Sequence, residues 1–140
     1  MPNNQPIYTR VADIQWSTST VISANTTTDL TSGTIYQVFS ADTTNGGYVQ
    51  RIRFKPLGTN IANVARLWLN NGSSTSSASN NALWDEITLP STTTSSVAAL
   101  PTFELPLNFP LPANYALYVT LGSANTGTTG YDVVVIGGKY

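Results

Sequence analysis

A turn followed by a strand that alternates from Arg51 onward runs through residues 43–55, which read Thr43-Thr44-Asn45-Gly46-Gly47-Tyr48-Val49-Gln50-Arg51-Ile52-Arg53-Phe54-Lys55. The Asn-Gly pair supplies the positive φ angles that tight turns between strands require. After the turn, apolar and polar side chains alternate, which is typical of a strand with one buried face. We therefore expect a hairpin between strands at residues 34–40 and 48–55, with Ile52 and Phe54 facing the core.

The same two-residue period recurs along the chain in short runs, separated by segments rich in Gly, Asn, Ser, Thr and Pro. This pattern predicts no helix and eight strands, at residues 14–23, 34–40, 48–55, 64–70, 82–89, 102–107, 115–121 and 131–136. Eight short strands with a long connection predict an all-β fold, a two-sheet antiparallel sandwich of the eight-stranded jelly-roll type. An immunoglobulin-like sandwich has a similar pattern, and periodicity does not separate the two.

The segment from Pro101 to Pro112 carries four prolines. Because proline has no backbone N–H to donate, it is excluded from the middle of a sheet. We expect an edge strand or an extended crossover here, with one side still able to lie against the core. The apolar residues of that side are Phe103, Leu105, Leu107 and Phe109.

With 140 residues, of which 41% are hydrophobic, the chain is the size of one ordinary domain with one core. We expect a single β-sandwich domain over residues 11–140. The first ten residues contain two prolines and no strand pattern, so residues 1–10 are predicted to form a flexible N-terminal arm.

Chemically reactive residue types are scarce: the chain has no histidine and no cysteine, and only 9% of its residues are charged. This removes the usual general base near neutral pH, the thiolate nucleophile and the commonest zinc ligands. No loop has the spaced carboxylates that calcium requires. We therefore expect a binding or structural protein that has no catalytic residues, no metal and no cofactor.

The main route to an enzyme would be a pair of carboxylates, as in a polysaccharide depolymerase. Asp85 and Glu86 are adjacent, so on a strand they point to opposite faces and cannot act across one substrate. Glu104 or Asp132 would have to approach one of them in the folded chain. A structure that separates these carboxylates would exclude that arrangement.

Six basic and seven acidic residues give a formal net charge of -1. Such a balance provides no general attraction to nucleic acid or to an anionic membrane, so we expect neither as a partner. The N-terminal residues contain no apolar stretch typical of a signal peptide, and no run approaches the length of a membrane span. The sequence therefore predicts synthesis in a cytosol.

Three of the six basic residues, Arg51, Arg53 and Lys55, lie at alternate positions of one predicted strand. They should share one face of the sheet, opposite Ile52 and Phe54. Such a stripe either contacts an acidic partner surface or forms an ordinary solvated sheet face. We treat these three residues as candidate partner-binding residues.

Arg66 and Trp68 face one way in the strand at residues 64–70, and Leu67 and Leu69 face the other. An outward Trp beside an Arg is typical of protein interfaces, and it could equally stack on a sugar. The alternative is that Trp68 packs in the core and the two leucines lie under a loop. Arg66 and Trp68 join the candidate partner-binding residues, whereas Trp16 and Trp84 are predicted to lie in the core.

Two longer stretches resemble a known group of proteins when they are taken together. They are Gly46-Gly47-Tyr48-Val49-Gln50-Arg51-Ile52-Arg53-Phe54-Lys55-Pro56-Leu57-Gly58-Thr59-Asn60 with the following Val64-Ala65-Arg66-Leu67-Trp68-Leu69-Asn70-Asn71-Gly72, and Leu100-Pro101-Thr102-Phe103-Glu104-Leu105-Pro106-Leu107-Asn108-Phe109-Pro110-Leu111-Pro112. They are similar to small structural proteins encoded in the head gene clusters of tailed phages and prophages. The likeness covers roughly residues 33–140 and is one of overall pattern.

This resemblance implies a bacteriophage capsid decoration or cement protein. Such a protein is a jelly-roll module on the outer surface of an icosahedral head, where it ties major capsid protein subunits together. It would be located in the virion, and the resemblance also implies a homo-oligomer, a dimer or a trimer. No site residues are carried over from the family. The alternative is a carbohydrate-binding or receptor-binding β-sandwich module of a phage tail or fibre, for which exposed aromatic side chains would form a groove or platform.

Overall fold

The computed structural model describes residues 9–123 and 129–140. In these ranges the chain forms eight strands, β1 Val11–Trp16, β2 Tyr36–Ser40, β3 Gly47–Pro56, β4 Asn63–Asn70, β5 Asn81–Leu89, β6 Phe103–Leu111, β7 Ala116–Leu121 and β8 Tyr131–Lys139. The helical structure described there is a single 3-10 turn, Ala78–Asn80, and no described helix is long and apolar enough to cross a membrane. The all-β prediction is confirmed. The predicted arm falls mostly on residues 1–8, which lie outside the described residues.

Two antiparallel four-stranded sheets pack face to face. Sheet A has the order β1-β8-β3-β6 and sheet B the order β2-β7-β4-β5. The pairs β1 with β8, β2 with β7, β3 with β6 and β4 with β5 show that the first half of the chain folds back on the second as one long hairpin. That hairpin is wound so that its strand pairs alternate between the sheets, which is the jelly roll. An immunoglobulin-like sandwich would place the first two strands side by side in one sheet.

The predicted hairpin between residues 34–40 and 48–55 is wrong, because β2 belongs to sheet B and β3 to sheet A. The turn itself forms. Asp42 Oδ1 accepts hydrogen bonds from the backbone N–H of Asn45 (2.8 Å) and Thr44 (2.9 Å), and these bonds lower the pKa of the Asp42 carboxyl. Gly46 has the positive φ of 73° that the Asn-Gly signal predicts. Asp42 and Gly46 form one isolated bridge, after which the two strands diverge to different neighbours.

Apolar side chains of the two sheets meet in one core. In β3 the inward residues are Val49, Ile52 and Phe54, all nearly fully buried. The alternation predicts Ile52 and Phe54, and a bulge between Val49 and Arg51 brings Val49 to the same side. The opposite sheet contributes Leu67 from β4, while Leu117, Val119 and Leu121 come from β7. The proline-rich segment is confirmed as an edge strand, β6, whose residues Phe103, Leu105, Leu107 and Phe109 pack on this core.

The apolar side chains of strand β1 face solvent, whereas the sequence pattern predicts that Trp16 faces the core. Trp16 is 64% exposed and Ile14 is 53% exposed, because the inward positions of this edge strand are occupied by Asp13 and Gln15. The Gln15 side chain bridges the two sheets: its Nε2 donates to the backbone oxygen of Ser40 (2.8 Å), and its Oε1 accepts from the Ser40 N–H (2.9 Å). A polar link between the sheets therefore places the apolar side chains of β1 outside.

Trp84 is also not a core residue, since 47% of its surface is exposed. The β4–β5 register passes from Leu67 opposite Asp85 to Trp68 opposite Leu83, so Trp84 is the extra residue of a β-bulge. Bulges redirect side chains in this way. The Trp84 ring packs against Phe109 of the other sheet, with 4.3 Å between ring centroids. This contact joins the two sheets at the edge formed by β5 and β6.

A segment between β1 and β2 crosses the outer face of sheet B, and we call residues 25–33 the strap. It begins beside β7, where the Asn25 N–H donates to the Leu121 oxygen (2.7 Å). It reaches β5, where the Asp29 oxygen accepts from Asn81 Nδ2 (3.0 Å). Because β4 lies between β7 and β5, the strap passes over β4. Leu30 of the strap is buried without belonging to the core between the sheets, so the strap builds a second apolar layer.

Candidate functional site

The outer face of sheet A combines charged and apolar side chains in two cross-strand rows. One row places Ile14, Ile136, Arg51 and Pro106 side by side, and the next places Trp16, Val134, Arg53 and Glu104 side by side. The half of this face on β1 and β8 is therefore apolar, and the half on β3 is cationic. We call this surface the sheet A face.

The cationic half has the orientation that the sequence predicts. Arg51, Arg53 and Lys55 are exposed on the side opposite Ile52 and Phe54. A bulge between Val49 and Arg51 shifts the register but keeps the three cations on one side.

Few opposite charges offset this stripe. Glu104 Oε1 lies 2.9 Å from Arg53 Nε, and Glu104 Oε2 lies 3.6 Å from Arg51 Nη1. Lys55 Nζ donates to the backbone oxygen of Leu100 (2.7 Å). One carboxylate faces two guanidinium groups, so a positive charge remains for a partner. Half-exposed ion pairs such as these contribute little to stability, and Glu104 can therefore exchange for an acidic group of a partner at low cost.

The sequence pattern did not predict the apolar half of this face, because it placed Trp16 in the core. Trp16, Ile14, Val134 and Ile136 form a contiguous apolar area beside the arginines. Trp and Arg are the residue types that most often dominate the binding free energy of protein interfaces. The available signal was the polar pair Asp13 and Gln15, which alternates with Ile14 and Trp16 and occupies the inward side of β1.

Arg66 and Trp68 lie apart from this face, on the outer side of sheet B. Arg66 Nε is 2.9 Å from Glu86 Oε1. Trp68 is only 2% exposed, and its Nε1 donates to Thr120 Oγ1 (2.9 Å) in a layer that the strap covers. The prediction that Trp68 points away from the core leucines holds, but its use as an exposed interface anchor is wrong because it is buried on the side of sheet B that the strap crosses. The five candidate residues thus divide between two opposite faces.

The carboxylates considered for catalysis are also divided. Glu86 lies on the outer side of sheet B beside Arg66, whereas Glu104 and Asp132 lie on the sheet A face. Asp85 Oδ1 accepts a hydrogen bond from the Glu86 N–H (2.8 Å). Within residues 9–123 and 129–140, no group of three or more acidic side chains is placed to hold a metal ion.

A concavity lies at the corner of the sheet A face, where β1 ends. The Ser17 N–H donates to the Val133 oxygen (3.2 Å), and Val21 and Tyr131 exchange two backbone hydrogen bonds of 3.0 Å. Between these contacts one segment advances four residues while β8 advances two, so residues 18–20 bow outward. The space is about 410 Å³ and is lined by Trp16, Asp132, Val134 and the hydroxyl residues 17–20.

A scan against protein-family models, a search of the curated proteins and a search of the solved structures found no match to this chain, so the jelly-roll assignment comes from the strand order itself.

Proposed function

We propose that this chain is a bacteriophage capsid decoration protein that binds the outer surface of the icosahedral head. In that role it stabilises the contacts between major capsid protein subunits. The observation that carries the proposal is the sheet A face, on which an exposed Trp and Ile adjoin two arginines on a regular sheet. The sequence resemblance to phage head proteins supplies the identity of the partner.

The sheet A face is suited to binding without rearrangement. The central strands β8 and β3 are paired on both sides, and their inward residues Val133, Val135, Ile52 and Phe54 are buried in the core. A surface built on such strands keeps its shape on binding, which lowers the entropic cost of association. Many equivalent sites on a preformed shell would require this property of each copy.

Stabilisation would arise by mass action. A ligand that binds the mature shell but not its precursor favours the mature shell by about 2.7 kcal/mol per site when its free concentration is 100 times Kd. Copies that bridge neighbouring subunits add this effect at every site of the shell. Neutral Ser, Thr and Asn side chains on the loops would let copies sit close together without strong charge repulsion. A dimer or trimer of the chain belongs to the same proposal.

A carbohydrate-binding or receptor-binding module of a phage tail or fibre is the second candidate. Trp16 stands beside a concavity lined by hydroxyl groups and one carboxylate, and sugar rings stack on exposed indoles in such surroundings. Binding of a neutral sugar does not require the cationic side chains of Arg51 and Arg53, whereas binding of a protein with acidic groups does. This difference favours the decoration role.

A heat challenge of phage heads tests the proposed function. We expect heads that lack this protein to release DNA at a lower temperature than complete heads, because bridging contacts are missing. Adding the purified protein should restore the higher temperature, and adding heat-denatured protein serves as the control. Equal heat resistance with and without the folded protein would contradict a stabilising role.

A further inference from the structure

We propose that the concavity beside Trp16 receives a basic side chain, Arg or Lys, that protrudes from the partner protein. This inference rests on the proposed function, since it specifies how the sheet A face meets its partner. It assigns the corner of the face a charge preference opposite to that of the arginine stripe.

The backbone forms the concavity by looping out two extra residues, as the hydrogen bonds of Ser17 and Val21 to β8 show. Ser17 Oγ donates to the Ser19 oxygen (2.8 Å), which holds the loop in place. The loop is therefore a built feature of the strand edge. Its hydroxyl oxygens and backbone carbonyls are hydrogen-bond acceptors, which suit an incoming N–H group.

Trp16 and Asp132 lie close enough to hold one cation together. Trp16 is opposite Val134 in the β1–β8 register, and Asp132 lies two residues further along the same face of β8. Diagonal neighbours of this kind have Cα atoms about 7–8 Å apart. A guanidinium within about 6 Å of an indole centroid gains a cation–π interaction, and its edge can reach the carboxylate in the same position.

Lys55 is opposite Asp132 in the β3–β8 register but forms no ion pair with it within 4.0 Å. Lys55 Nζ is hydrogen-bonded to Leu100, which precedes β6 on the other side of β3. Among the described residues, no cationic group lies within 4.0 Å of the Asp132 carboxylate. An incoming Arg or Lys would give the Asp132 carboxylate an ion-pair partner in direct contact.

The sheet A face then has two charge requirements, an acidic partner group at Arg51 and Arg53 and a basic one at Asp132. Opposite signs at defined positions of the face fix the orientation of a partner and disfavour a rotated arrangement. The apolar area of Trp16, Ile14 and Ile136, which lies in the rows of Arg51 and Arg53, would supply most of the affinity.

An NMR titration of the isolated protein tests the inference without any capsid. The probe is N-acetyl-arginine N-methylamide, and the matched control is the citrulline analogue, which has the same shape and no charge. We expect saturable shifts at the Trp16 indole N–H and at residues 17–20 with the arginine probe. Binding should be weaker by about tenfold for the citrulline probe and for the Asp132→Asn variant.

Three results would overturn the inference: no saturable shift with arginine up to about 50 mM, equal binding of the citrulline probe, or tighter binding of methyl glucoside than of arginine. The last result would assign the concavity to a sugar. The two proposals fail in different experiments. If only the decoration role is wrong, the protein gives heads no added heat resistance, but the arginine probe still binds the isolated protein.

Discussion

Replacing Trp68 with alanine is expected to lower the free energy of unfolding by about 3–5 kcal/mol, the range for removing a fully buried aromatic side chain. The residue is 2% exposed beneath the strap, and its indole N–H is bonded to Thr120. Deletion leaves a cavity between sheet B and the strap. Denaturation by urea, followed by tryptophan fluorescence and circular dichroism, measures the effect.

Two further variants separate the causes of that loss. Thr120→Val keeps the packing but leaves the buried indole N–H without its acceptor. We therefore expect this variant to lower the free energy of unfolding by about 1–3 kcal/mol. We expect a double-mutant cycle between Leu30→Ala and Trp68→Ala to give a coupling of about 0.5–3 kcal/mol, the range that would show the strap packing against Trp68. A loss below about 1 kcal/mol for Trp68→Ala would show that this tryptophan is not a packed structural residue.

Replacing Trp16 with alanine is expected to weaken binding to phage heads by about 30-fold or more, the effect of losing a central interface residue. Its stability should change by no more than about 0.5 kcal/mol, because the side chain is 64% exposed. Co-sedimentation of the variant with heads that lack the protein measures binding, and urea denaturation measures stability.

Trp84→Ala is the matched control, since Trp84 is an exposed tryptophan on an edge strand of the other sheet. It should bind heads within about twofold of the unaltered protein, while losing about 0.5–1.5 kcal/mol of stability with its Phe109 contact. Arg53→Glu should weaken binding and reduce its dependence on salt. If Trp16→Ala binds as well as the unaltered protein, the sheet A face is not the docking surface.

Much of the fold follows from local pattern. Alternation along residues 48–55 places Ile52 and Phe54 inside and the three cations outside, and the prolines between residues 101 and 112 predict an edge strand. These features depend on the two-residue period and on a missing N–H donor, both of which are properties of the sequence itself. Strand pairing is not local. The turn at Asn45-Gly46 forms, yet its flanking strands join different sheets, because β2 pairs with β7 whereas β3 pairs with β6 and β8, all of them distant in sequence.

The three tryptophans show why the site was harder to predict. Trp16 was assigned to the core from its alternation with Ile14, but alternation does not tell which face is inside, and the Gln15 link to Ser40 reverses the strand. Trp84 lies half-exposed at the edge of the sandwich because it is the extra residue of a bulge, which only the β4–β5 register reveals. Trp68 faces outward as expected and is buried by the strap, a segment that crosses from β7 to β5 without a strand pattern of its own.

Image reconstruction of phage heads by electron cryomicroscopy tests the proposed role of the sheet A face most directly. The predicted result is regular jelly-roll density on the outer head surface, with Trp16, Arg51 and Arg53 turned toward the major capsid protein. The Asp132 corner should meet a basic side chain of the capsid. Density confined to the tail, or a copy bound to the head with the sheet A face turned to solvent, would contradict it.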